Sequence, residues 1–214
     1  MRSLFILFVL ILAAALRLQA QLQGGLRLGY HRSGFVPVAN RPAQAGGNPE
    51  IGATVEHSIS GGRWLVQSSP VYTTIRYQTH GIPATDADGN TLGTIRLHRV
   101  SLISIPLTLA YQWPVRDKRI RISVGPDGLL AVGDRVDIEA GDRFGNGTAF
   151  PAGTTGIRSW QWNLRSQLAL RWPAWQLAVF YEQGLQSFYA NANRAQPAWT
   201  LRRGGIGFEW FIFH

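Results

Sequence analysis

The side chains in this sequence that could do covalent or acid–base work are its histidines, serines and carboxylates. There is no cysteine, which removes thiolate catalysis, thiolate metal sites, disulfides and a cysteine-attached lipid anchor. The histidines stand at 31, 57, 80, 98 and 214, without the short repeats that bring two imidazoles to one metal ion. His57 adjoins Ser58, but neighbours on a strand point to opposite faces, so they do not make a nucleophile–base pair. His98 with Ser101 or Ser104 is the remaining combination from which acyl hydrolysis could be assembled. Asp86-Ala87-Asp88-Gly89-Asn90 opens like a calcium loop. It lacks the third carboxylate and the closing Glu, and reads as a hairpin tip. Asp134, Asp137, Glu139 and Asp142, interleaved with Arg135 and Arg143, read as a solvated loop. No residue is therefore assigned as catalytic, cofactor-binding or metal-ligating, and no cofactor is expected.

The elements around these residues carry more information. Between Arg158 and Trp172, even positions from Trp160 read Trp, Trp, Leu, Ser, Leu, Leu, Trp, while odd positions read Gln, Asn, Arg, Gln, Ala, Arg. Strand side chains alternate between faces, so this strand has one apolar face and one polar face. The apolar face begins and ends in Trp, as a lipid-facing band between two aromatic girdles does. Fifteen residues at about 3.3 Å each and a tilt near 40° rise about 38 Å, more than the roughly 25 Å apolar band of an outer-membrane barrel.

Residues 1–20 read as a signal peptide: Arg2, a 13-residue apolar run from Leu4 to Leu16, then Ala20 before a cut at Gln21. Removing it takes Arg2 and Arg17 and lowers the formal charge from +9 to +7. Arg residues are scattered singly through the strands and form no stripe, which argues against nucleic acid as a partner. Mean hydropathy is only -0.03, and no apolar run reaches the length of a membrane helix.

Residues 21–214 read as one domain of eight strands, near 24–32, 50–60, 63–79, 95–113, 119–132, 158–172, 175–187 and 199–213. The facing of the third is ambiguous, because Leu65/Val71/Ile75 and Trp64/Val66/Tyr72 compete. Connections alternate strictly: long at 33–49, 80–94, 133–157 and 188–198, short at Gly61-Gly62, 114–118 and Pro173-Ala174. Short periplasmic turns and long external loops have this signature, with both termini periplasmic. Trp64, Trp113, Trp172, Trp175 and Trp210 gather at the short-turn side. Tyr77, Trp160, Trp162, Phe188, Tyr189 and Trp199 gather at the other, as two interfacial belts would. The fold class expected is an all-β, eight-stranded antiparallel up-and-down transmembrane barrel.

The sequence also resembles the small outer-membrane β-barrel proteins of the PorT-like porin superfamily. The likeness lies in Ser69-Pro70-Val71-Tyr72, Arg76-Tyr77 and Gly81, and in Val100 to Tyr111. It continues in Val124-Gly125-Pro126-Asp127-Gly128-Leu129-Leu130, Tyr181-Glu182-Gln183-Gly184-Leu185 and Gly204-Gly205-Ile206-Gly207-Phe208. The resemblance implies export to the outer membrane, contact with outer-membrane lipid and lipopolysaccharide, and insertion by the barrel-assembly machinery. That machinery favours an aromatic last residue; here Phe213 is penultimate and His214 follows.

Eight strands leave an interior that side chains nearly fill, so a wide pore is not expected. The role is then structural, adhesive or concerned with a small solute. A soluble lipocalin-like barrel and a lipid-modifying outer-membrane enzyme stand as alternatives. The Pro173-Ala174 turn sets Trp172 opposite Trp175 and, counting back in step, Arg165 opposite Glu182. With Arg203 and Glu209 on the inward face of the last strand, Arg165, Glu182, Arg203 and Glu209 are expected to form a lumenal charge network.

Overall fold

The computed structural model describes residues 22–36, 47–59, 62–85, 91–140, 143–144, 148–150, 157–188 and 200–213. Residues 1–20, expected to be a signal peptide, and residues 86–90, expected to be a hairpin tip, lie outside them. The strands are β1 (Leu22–Val36), β2 (Gly47–Ile59), β3 (Trp64–Ser68), β4 (Val71–Thr85), β5 (Thr91–Val115), β6 (Lys118–Ala140), β7 (Arg143–Phe144), β8 (Thr148–Phe150), β9 (Trp160–Arg171), β10 (Trp175–Gly184) and β11 (Thr200–Phe213). All pairings are antiparallel, and β1 pairs with both β2 and β11, which closes the sheet on itself. Closure removes the exposed sheet edges that water would otherwise have to satisfy, as a lipid environment demands.

The ring has eight members because β3 and β4 are two halves of one strand. Val55 opposes Ser68 and Glu50 opposes Thr73, one continuous register across the break. Pro70 causes the interruption: it has no N–H to give, though its carbonyl still accepts from Ala53 N at 3.1 Å. β7 and β8 lie outside the ring and, among the described residues, pair only with β6.

Burial inverts the usual order. Along β9 the pattern alternates strictly, with Leu168 50 % exposed and Gln167 6 %. Leu26, Leu28, Ile51, Leu107, Leu109, Ile122, Leu177, Val179, Ile206 and Phe208 all point outward. A continuous apolar surface of this kind would be strongly unfavourable in water and is stable facing acyl chains. This inversion overturns the soluble lipocalin-like alternative, whose apolar face would line the interior.

Two sequence expectations change. The segments 80–94 and 133–157 are not loops throughout: β4 runs to Thr85, β5 starts at Thr91, and β6 continues to Ala140. Backbone pairing between β5 and β6 persists to Thr94–Glu139, so these hairpins prolong the sheet beyond β9, whose first rung is Trp160–Leu130. The facing of the third strand is also settled. Leu65, Val71 and Ile75 point inward, and Trp64 and Tyr72 outward. At Ile75 and Tyr77 the inward face is apolar because it joins the buried apolar cluster of the upper interior.

Candidate functional site

The inward faces bring charged side chains from every part of the chain into one narrow space. In the first group, Arg27 on β1 donates from Nε and Nη2 to Glu50 Oε1 at 3.1 and 2.9 Å, and from Nη1 to Glu209 Oε1 at 2.5 Å. The other Glu209 oxygen accepts from Gln67 Nε2 at 2.9 Å and Gln176 Nε2 at 3.1 Å. In the second, Arg165 Nη1 donates to Glu182 Oε1 at 2.8 Å, and Arg203 Nε to Glu182 Oε2 at 2.6 Å. Arg203 Nη2 reaches Asp127 Oδ2 at 2.9 Å, and the Ser104 hydroxyl donates to Asp127 at 2.8 Å. In the third, beside the short turns, Arg121 holds Glu56 at 2.5 Å and Gln112 at 3.2 Å. Arg171 Nη2 donates to Gln23 at 2.8 Å and lies 3.4 Å from Glu56.

The geometry has two consequences. Five arginines and five carboxylates make up the three groups, so charge balances across them although the chain is basic. Several bonds also cross the lumen. Arg203 of β11 reaches β6, Gln67 of β3 reaches β11, and Arg121 of β6 reaches β2, none of them ring neighbours. Phe180 lies between the first two groups, with the Arg165 guanidinium 4.2 Å and that of Arg27 5.4 Å from its ring centre.

Glycines on the same inward faces make the space. A Cβ on Gly207 would come within 2.7 Å of the Arg27 guanidinium, and one on Gly29 within 2.4 Å of the Glu50 carboxylate. The Gly-rich last strand is therefore cut to fit Arg27.

Above the charges, towards the long connections, the interior turns apolar. Phe35, Ile75, Tyr77, Val100, Leu102, Leu129, Ile157, Phe188 and Leu201 form one buried cluster. Phe35 packs edge-on against Tyr77 at 5.2 Å and Phe188 at 4.9 Å. This corrects the belt assignment: Tyr77 and Phe188 are in the cap, not at the interface, because Tyr77 shares the inward parity of Thr73 and Ile75. Trp160 and Trp162 do face outward, Trp172 and Trp175 stack at 3.7 Å, and Tyr189 and Trp199 lie outside the described residues.

Of the sequence-predicted site residues, the structure joins Arg165, Glu182 and Arg203, and places Glu209 in the separate group around Arg27. Arg27, Glu50, Glu56, Arg121, Asp127 and Arg171 were not foreseen. Each lies on the polar parity of its strand, which is the signal that could have found it. Ser104 bonds to Asp127 and Arg203, not to a histidine. The His98 side chain lies outside the described residues, and the Ser101 hydroxyl accepts from Tyr72 at 3.1 Å.

A closed antiparallel ring, apolar outside and ion-paired inside, defines a transmembrane β-barrel. Residues 18–190 match the family described as outer membrane protein beta-barrel domain, and the chain belongs to that family. It is an integral protein of the outer membrane. Solved structures of similar fold include Ail, the attachment invasion locus protein of Yersinia pestis, in complex with the heparin analogue sucrose octasulfate. There the identity is 9%, with 90% of this chain and 99% of that one covered and a TM-score of 0.49. Neisserial surface protein A aligns at 13% identity over 87% and 96% of the two chains, with a TM-score of 0.44. The translocator domain of the autotransporter NalP from Neisseria meningitidis aligns at 9% identity over 92% and 94%, with a TM-score of 0.31. Among curated proteins, none matches the sequence.

Proposed function

We propose that this protein is a sealed outer-membrane barrel whose work is done outside the bilayer, as a structural or adhesive surface element, and not a diffusion pore. The observation that carries this reading is the set of charge-assisted bonds crossing the lumen beneath a buried apolar cap. An ion entering such an interior would have to break hydrogen-bonded pairs and then shed its water against Phe35 and Phe188. The prolonged β4–β5 and β5–β6 hairpins support a role in presenting surface at the long-connection end.

In this reading residues 1–20 are the exported signal, the long connections face outside, and lipopolysaccharide surrounds that rim. The barrel-assembly machinery inserts the chain, and the PorT-like subdivision rests on the motifs quoted from the sequence. The purified protein in planar bilayers should give no stable conductance steps. Regular, voltage-independent steps would show that the lumen conducts and would overturn the sealed-barrel reading.

A further inference from the structure

At the short-turn end the barrel opens into a cavity of about 510 Å³. The third charge group forms its floor, and the β5–β6 turn supplies Arg116, Asp117, Lys118 and Arg119 to its wall. Five cationic side chains line it against two carboxylates, Glu56 and Asp117. The three charge groups together are balanced, so this local surplus is a feature of the mouth.

Two guanidinium donors beneath the floor are unused among the described residues. Arg121 is 1% exposed and Arg171 6%, yet Arg121 Nε and Arg171 Nη1 have no hydrogen-bond partner there. Buried guanidinium N–H groups without an acceptor are destabilising, and each calls for an explanation. Arg116 sits at φ 56° in the two-residue β5–β6 turn, a backbone conformation that such turns require. The aromatic wall is not available to a ligand: Trp172 has Trp175 stacked at 3.7 Å and Lys118 Nζ 5.2 Å from its ring centre.

We propose that this vestibule binds a phosphate group, free or carried as a phosphomonoester. Arg121 and Arg171 supply positive charge from the floor, and Arg116 and Arg119 face it from the rim. A tetrahedral oxyanion with a charge of about −2 offers several acceptors to guanidinium forks and offsets the surplus of positive charge. A halide has the charge of only one pair and no such geometry, and an apolar ligand would leave the lining unsatisfied. This inference does not rest on the sealed-barrel reading, because a vestibule of this kind binds its anion whether or not the lumen conducts.

The test uses the full mature barrel refolded in uncharged detergent micelles, with folding checked by heat-modifiable gel migration. Inorganic phosphate is titrated calorimetrically at constant ionic strength in chloride. Saturable one-site binding is expected, weakened about tenfold by Arg119→Gln or Arg116→Gln. Arg171→Lys, which keeps the charge and loses the fork, should weaken it as well. If Arg171→Lys does not fold, the two exposed rim variants carry the test alone. Competition by glycerol 3-phosphate would assign a soluble source, and competition by phosphatidic acid in nanodiscs a lipid headgroup; either keeps the site. No saturable heat, phosphate indistinguishable from added chloride, or unchanged affinity in the folded rim variants would overturn the proposal.

Discussion

Arg203 binds carboxylates from two strands at once, Glu182 beside it and Asp127 across the lumen. Removing one member of such a group leaves the others buried and charged, at a cost of about 3–5 kcal/mol. Glu182→Gln and Arg165→Gln should each destabilise the barrel, and the double variant should cost clearly less than their sum. A coupling energy of zero in a double-mutant cycle, read from reversible unfolding in lipid vesicles, would mean the two groups act independently. The Arg165–Glu182 opposition is legible in the sequence because a two-residue turn fixes register. The partnership of Arg203 with Asp127 is not, because it depends on how far the ring is sheared when it closes. The same holds for Arg27, whose partners Glu50 and Glu209 are 23 and 182 residues away.

Strands were the most readable part of the molecule. Parity located the outward face of β9 from residue types alone, because lipid and lumen select opposite side chains. Where the lumen is apolar, as behind β4, the two faces look alike and parity fails. Strand ends were missed for a different reason: the rungs that prolong β5 and β6 are backbone pairings, to which side-chain alternation is blind. Leu168→Arg places a charge in the apolar band and should cost about 2–4 kcal/mol. Gln167→Asn, one position along, keeps an uncharged polar side chain facing the lumen and should cost much less. Urea unfolding in vesicles separates the two, and equal losses would contradict the assigned facing.

For the whole barrel the sidedness is open to a direct measurement. Protease added to intact cells should cut within 133–157 and spare the Pro173-Ala174 turn, and the intact membrane-inserted chain should begin at Gln21. Cleavage at Pro173-Ala174 with 133–157 protected would invert the orientation. The bonds across the lumen bear on how such a barrel comes into being. Arg27 lies on the first strand and Glu209 on the last, and those strands are also the two that close the ring. Until β11 docks, Arg27 has only half its partners, and Arg203 cannot reach β6. Contacts of such long sequence separation form late and slowly. An open sheet entering the bilayer would carry Glu209 and Arg203 towards lipid without their partners on β1 and β6, so insertion and closure belong to a single cooperative event whose last step joins Glu209 to the first strand.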